Sequence, residues 1–299
     1  MNVSVLPRSP WMDSELTMVE DSCRQFYQRD CLPYYEEWEE RGDVGRETWE
    51  KAGSMGLLGA MVPEEYGGPG GSFAYDAVIA YQGNLLGVDG WGGGLHNAIV
   101  IPYILNYGSE DQKKRLLPKL VSGELIGAIA MSEPSTGSDL QGIKTTATKE
   151  GNHYSISGQK TFITNGKLAN LVITVAKTDP SEGARGTSLF LVETDEVTGF
   201  RHGRNLDKIG MKSNDTSELF YDSVKVPASS LLGPEEGQGF YQLMGELPQE
   251  RLLIAIYAIA RIDRALGVTL DYVKERKAFG KSISEYQNTQ FELAECKTE

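Results

Sequence analysis

The sequence is short of the residues that most often hold metals or cross-links, with three cysteines and three histidines in 299 residues. Cys23, Cys31 and Cys296 form no CxxC pair, and His96, His153 and His202 fall at no zinc-ligand spacing, so no metal site is expected. So few thiols in a chain of this length fit a reducing compartment. Long apolar runs are missing too: none approaches the ~18–20 residues that a membrane span needs. The opening MNVSVLPRSPWMDSEL has neither the apolar core of a secretion signal nor an Arg-rich transit pattern. The cytoplasm is the expected location. Positive charge is also scarce, with 29 basic against 42 acidic residues, a formal charge of −13 and a pI near 4.8. That balance argues against a general nucleic-acid or anionic-membrane surface and leaves room for a local basic pocket.

What is present is ordinary for a globular chain of two or three domains: 40% hydrophobic and 24% charged residues. Residues 13 to about 60 carry helical spacing with charged faces, and PEEYGGPGGS (63–72) is a glycine-rich loop. Helical patterns resume in YDAVIAYQGNLLG and HNAIVIPYILNYG. Gly108 reads as a helix stop, and Ser109 with Gln112 as a capping box for EDQKKRLLPKLV. From 126 to about 227, β-branched and aromatic runs alternate with Gly, Asn and Asp turns: LIGAIAM, HYSISG, KTFIT, LVITVAKT, TSLFLVET and ELFYDSVKV. These predict five or six strands in a small sheet or barrel. After LLGPEEGQG a helix is expected from Phe240 to Lys274, and another from Gln287. The reading is α+β: a helical domain over 1–125, a β domain over 126–236 and part of a helical bundle over 237–299. LLIAIYAIA (252–260) is apolar almost all round and needs partners on nearly every side. The expectation is that the chain is truncated or that other subunits cover this helix.

AMSEPSTGSD (130–139) leaves a small-residue strand and turns through Pro134, Thr136 and Gly137. Backbone N–H groups, hydroxyls and a carboxylate meet there at one edge, suited to a flat polar ligand. FITNG (162–166) repeats strand, hydroxyl and Asn-Gly turn. Ser132, Ser138 and Thr164 are candidate ligand contacts or turn caps, Phe162 a stacking ring or a core aromatic, and Asp139 a cap. Glu250, just after Pro248, is placed in the first turn of a helix. Half out of water there, it serves either as a general base raised by desolvation or as a complement to the helix dipole. Arg251 either tunes it or pairs at the surface. In ERKAFGK (275–281), Arg276 and Phe279 read as a pyrophosphate and adenine contact or as a plain basic helix end. PEEYGGPGG and GWGGGLH (90–96) lack the context of a phosphate loop, and His96 is a weak candidate base.

GSEDQKKRLLPKLVSGE, AMSEPSTGSD, GQKTFITNG, LDKIGMKSNDTSELFYDSVKVP and ERKAFGKSISEYQ together, in this order, resemble the acyl-CoA dehydrogenase family. LMGELPQERLLIA and RKAFGK are most similar to its long-chain members. The resemblance implies a helical domain, a middle β domain and a C-terminal four-helix bundle, with FAD as cofactor. It lays Ile129 to Ser138 along the flavin, including Gly137, with Met131 and Ser132 near the ring. Phe162, Ile163 and Thr164 take the other side. Ser138 also meets the thioester's carrier. Arg276 and Phe279 reach FAD across a subunit interface, and Gln287 adds a further contact. Glu250 before Arg251 takes the position of the catalytic base in the long-chain and isovaleryl-type enzymes, and Tyr241 is implied as a lining residue.

The implied reaction is α,β-dehydrogenation of a fatty acyl-CoA to a trans-2-enoyl-CoA, with Glu250 removing the α-proton and the flavin N5 taking the hydride. An electron-transfer flavoprotein is the implied acceptor, and a homodimer or homotetramer the implied assembly. Nucleic acid and a membrane span are not expected. The alternatives are an acyl-CoA oxidase and a flavin-binding homologue without catalysis. A chain ending at Glu299 is expected to lack the rest of the bundle and to be inactive or weakly folded.

Overall fold

The computed structural model describes residues 9–299; residues 1–8, part of the N-terminal stretch read above, lie outside the described residues. Seven helices come first. α1 (Ser14–Phe26) starts where the Asp13 carboxylate accepts from the Leu16 N–H at 2.8 Å. It is followed by α2 (Tyr35–Arg41), α3 (Arg46–Ser54) and α4 (Phe73–Leu86), the last capped by Ser72. α5 (Gly93–Leu95) runs through a π-helical turn (His96–Val100) into α6 (Ile101–Tyr107). α7 (Glu110–Ser122) opens on the expected reciprocal Ser109–Gln112 capping box. Phe26, Trp49 and Trp91 form an aromatic centre among these helices, with ring centroids 5.4 and 5.5 Å apart.

The strands are β1 (Gly127–Ala130), β2 (Thr146–Glu150), β3 (His153–Thr164), β4 (Leu171–Lys177), β5 (Thr187–Glu193), β6 (Phe200–Asn205) and β7 (Thr216–Pro227). They form one seven-stranded sheet in the order β1-β4-β2-β3-β7-β6, with β5 also paired to β4. HYSISG and KTFIT, read as two strands, are the single strand β3, which bends at register shifts between Ile156 and Gly158 and between Lys160 and Ile163. β2 and β6 escaped the sequence reading because they are mostly exposed and polar, so they carry little apolar alternation. β4 is the opposite case: all seven of its residues are buried, including Lys177.

One core cluster spans both layers, beside others confined largely to one of them. Ile101, Ile104, Leu116, Leu117 and Leu120 from the helices pack with Ile129, Ile173, Val175 and Leu191 from the sheet, and with Leu243 from α8. α8 (Gly239–Glu275) is followed by a small hairpin of β8 (Lys277–Ala278) and β9 (Lys281–Ser282), then by α9 (Gln287–Thr298). Pro248 lies well inside α8 rather than in its first turn, because the helix begins at Gly239. Its missing N–H leaves the Met244 carbonyl without the usual intrahelical donor. Leu252, Ile254, Ile259 and Ile262 remain exposed on α8. Among the described residues no helix is long and apolar enough to cross a membrane.

Candidate active site

β1 ends at Ala130, and Met131 and Ser132 continue past it against the irregular end of β3. The Thr161 N–H donates to the Ser132 carbonyl at 3.0 Å, which fixes the two segments side by side. At the adjoining register shift the backbone of Phe162 turns to φ +59° and its ring is thrown outward, 69% exposed. The costly backbone conformation turns the ring out of the core and leaves it free for contacts beyond the sheet. Phe162 is therefore not a core aromatic. The half-buried Ser132 and Thr164 hydroxyls make no hydrogen bond to protein among the described residues. Ile129 and Ile163 are buried beneath this ledge, while Gly137, Ser138 and Asp139 lie exposed on the turn that follows. Asp139 caps its turn through its backbone carbonyl, not its side chain.

The ledge is stiffened by groups that the sequence did not advertise. Lys160 is fully buried, and its Nζ donates to the Met131 carbonyl at 3.0 Å and to Glu133 at 2.9 Å. Burial brings Lys160 down to about 8, against the opposing pull of Glu133. Glu133 also accepts from the Lys144 and Thr145 N–H groups. Burial raises its pKa, but Lys160 and these donors outweigh that and leave it below the usual range. Asn165, wholly buried at φ +62°, donates to the Gly92 and Gly127 carbonyls. The GWGGG glycines are thus explained by close approach: a Cβ on Gly92 would lie 1.8 Å from Asn165 Oδ1, and one on Gly94 1.7 Å from the Tyr257 hydroxyl. His96 is also structural. It bonds the Leu120 carbonyl and the Gly127 N–H, and burial lowers it to about 4.

Glu250 sits half-buried on α8 and accepts a hydrogen bond from the Tyr103 hydroxyl at 3.0 Å. The mid-helix position removes the dipole reading, since the helix N-terminus is almost three turns away. Burial raises the Glu250 pKa; the Tyr103 hydrogen bond lowers it, the neighbouring Glu246 raises it and Arg251 lowers it, with a net rise. Tyr103 belongs to α6 and is itself fully buried, the one site contact for which VIPYILNYG gives only a helical-core signal. Asn106 of α6 bonds Glu246, and Gln249 bonds the Ala98 carbonyl of the π-helical turn, so the turn of α8 before Glu250 is pinned to both.

One turn beyond Glu250 opens a cavity of about 390 Å³ between α4, the π-helical turn and α8. Leu253, Ile254 and Tyr257 line one wall, Asp76 and Ala80 another, and Thr164 connects it to the ledge. The remaining candidates lie elsewhere. Tyr241 is exposed on α8, about two and a half turns before Glu250, so its side chain leaves the opposite side of the helix. Arg251 is exposed beside Glu250. Arg276, Phe279 and Gln287 are exposed around the β8–β9 hairpin, with Phe279 96% exposed at φ +52°.

A helical layer, a sheet with an exposed ledge and a long helix carrying a half-buried glutamate are the features to set beside known proteins. The profiles of the acyl-CoA dehydrogenase N-terminal, middle and C-terminal domains match residues 13–124, 128–224 and 237–299. The mitochondrial long-chain specific acyl-CoA dehydrogenase of Sus scrofa is 50% identical over 95% of this chain, and the chain spans 66% of that protein's length. An acyl-CoA dehydrogenase structure from Geobacillus kaustophilus is 48% identical and superposes with a TM-score of 0.94, over 97% of this chain and 76% of that one. A Mycobacterium smegmatis glutaryl-CoA dehydrogenase in complex with FADH2 is 30% identical with a TM-score of 0.85, over 95% and 72% of the two chains. The chain belongs to the acyl-CoA dehydrogenase family.

Proposed function

We propose that the protein binds FAD and α,β-dehydrogenates a fatty acyl-CoA, with Glu250 as the base. The observation that carries this is the half-buried Glu250 carboxylate, raised by burial, on a helix whose following residues Leu253, Ile254 and Tyr257 line a cavity of about 390 Å³. The cofactor reading is supported by the ledge: an outward Phe162 ring offers stacking, and Ser132 and Thr164 offer unspent hydroxyls to the edge of a flat conjugated ring. When bound there, FAD supplies the hydride acceptor, its N5.

The chain's own residues then divide the work. Glu250 Oε takes the proton from the carbon next to the thioester carbonyl, and product is a trans-2-enoyl-CoA. Tyr103 holds that carboxylate in one orientation, so less freedom is lost on reaching the reactive geometry. Leu253, buried on the cavity wall, keeps water from the chain, which maintains the basicity of Glu250. In this reading the exposed Ser138 contacts the thioester's carrier, and the exposed Arg276, Phe279 and Gln287 make FAD contacts from a second subunit. An electron-transfer flavoprotein fits as the acceptor.

The test is anaerobic mixing of the FAD-loaded protein with palmitoyl-CoA while the flavin's visible absorption is followed. Rapid bleaching that Glu250→Gln abolishes is expected. A flavin that no acyl-CoA bleaches would overturn the reading.

A further inference from the structure

Asp76 does nothing for the fold that its burial would justify. It is 3% exposed on α4, and among the described residues no group sits within hydrogen-bonding distance and angle of either carboxylate oxygen. Asn97 lowers its pKa as a hydrogen-bond donor, but one Asn97 amide hydrogen goes to the Leu57 carbonyl and its Oδ1 accepts from the Gly59 N–H, so a single amide hydrogen is left for the two Asp76 oxygens. A buried acceptor left unpaired costs about 1–3 kcal/mol, so such a group calls for a reason. The same wall holds a second one. Asn84, two turns along α4, donates to the Ala80 carbonyl while its Oδ1 stays buried and unpaired. Both residues line the cavity that opens past Glu250. Across from them Leu253, Ile254 and Ala258 are apolar. The charged groups at the far end, Arg261 and Asp89, face each other at 3.4 Å.

We propose that this cavity takes an acyl chain bearing a hydroxyl or similar hydrogen-bond donor well along its length, with Asp76 and Asn84 as the acceptors. The inference deepens the acyl-CoA reading and rests on Glu250 marking the reacting carbons. The depth follows from α8. Asp76 faces Tyr257, seven residues past Glu250, or about 10 Å at ~1.5 Å per residue. A zigzag chain with C–C bonds of about 1.5 Å covers that in roughly eight bonds, which places the donor near the tenth carbon. A plain chain would leave both acceptors buried without partners. The hydroxylated chain satisfies them, so discrimination comes from the cost of unpaired groups rather than from added contact area.

The experiment is calorimetric titration of the FAD-loaded protein with dodecanoyl-CoA and with 10-hydroxydodecanoyl-CoA, repeated on Asp76→Ala and on the isosteric Asp76→Asn. The hydroxylated thioester is expected to bind about tenfold more tightly than the plain one, which corresponds to one buried hydrogen bond. Asp76→Ala should erase or invert that ratio, and Asp76→Asn, which keeps an acceptor oxygen, should retain part of it. Equal affinities in the unmodified protein, or a ratio unchanged in Asp76→Ala, would overturn the inference and leave the acyl-CoA reading standing. Binding of neither thioester would overturn both.

Discussion

At the scale of single residues, the Glu250 carboxyl is under opposed influences: burial raises its pKa, and the Tyr103 hydroxyl lowers it. Tyr103→Phe removes the donor and keeps the ring. The acidic limb of the kcat/KM profile should then move to higher pH, because the base holds its proton more firmly, and stability should fall by about 1 kcal/mol. An unmoved limb would mean that Tyr103 does not tune the base. Asp76 gives a separate test in stability. Burial pushes its carboxyl up to about 7 against an opposing hydrogen bond from Asn97 of the π-helical turn; of the α8 groups facing the same cavity, Tyr257 is neutral and Arg261 is held by Asp89 at 3.4 Å. A raised folded pKa means the native state holds the proton more tightly than the unfolded chain. Its contribution is therefore fully present below about pH 4 and is lost as pH rises towards 7. Asp76→Asn should accordingly leave the stability near pH 4 almost unchanged and raise it at pH 8, by on the order of a few kcal/mol at ~1.4 kcal/mol per pH unit. Thermal melts at the two pH values decide this, and a gain of equal size at both would exclude titration of Asp76 as its source.

At the scale of elements, the ledge and the GWGGG loop depend on one another through Asn165. Gly92→Ala would put a methyl 1.8 Å from the Asn165 carboxamide, so the FITNG turn must move. The expected cost is about 1–3 kcal/mol, as for other overpacked sites, together with weaker FAD retention during dialysis. Urea denaturation and flavin release should change together; a destabilised variant that keeps its flavin would show that the ledge is independent of this contact. The capping box of α7, the reach of α8 and the start of α9 were legible in the sequence because they depend on local signals, Ser109 with Gln112 above all. Lys160, Asn165 and Tyr103 were not, because each works through a partner 27 or more residues away: Glu133, Gly92 and Glu250. Pro248 misled for the same reason. Its local meaning is a helix start, and only the packing of α8 against α6 and the π-helical turn carries the helix through it.

At the scale of the whole molecule, the boundary between helices and sheet visible in the sequence is not a boundary in the core. Leu116, Leu117 and Leu120 of α7 lie in one buried cluster with Ile173 and Val175 of β4 and Leu243 of α8. Arg46 of α3 reaches across to the Leu168 carbonyl, and Asn165 ties β3 to the loop before α5. Neither layer can therefore lose its packing without exposing apolar surface of the other, at about 25 cal/mol per Å². Unfolding should be a single cooperative event. The chain carries its own reporters for the test, since Trp11, Trp38, Trp49 and Trp91 all precede the first strand. Tryptophan fluorescence then follows the helical layer alone, while the amide infrared band of β structure follows the sheet. The two urea curves should share one midpoint. A sheet that outlasts the tryptophan transition would show that the cluster is two cores in contact, and that the ledge could keep its shape without the helices that frame Glu250.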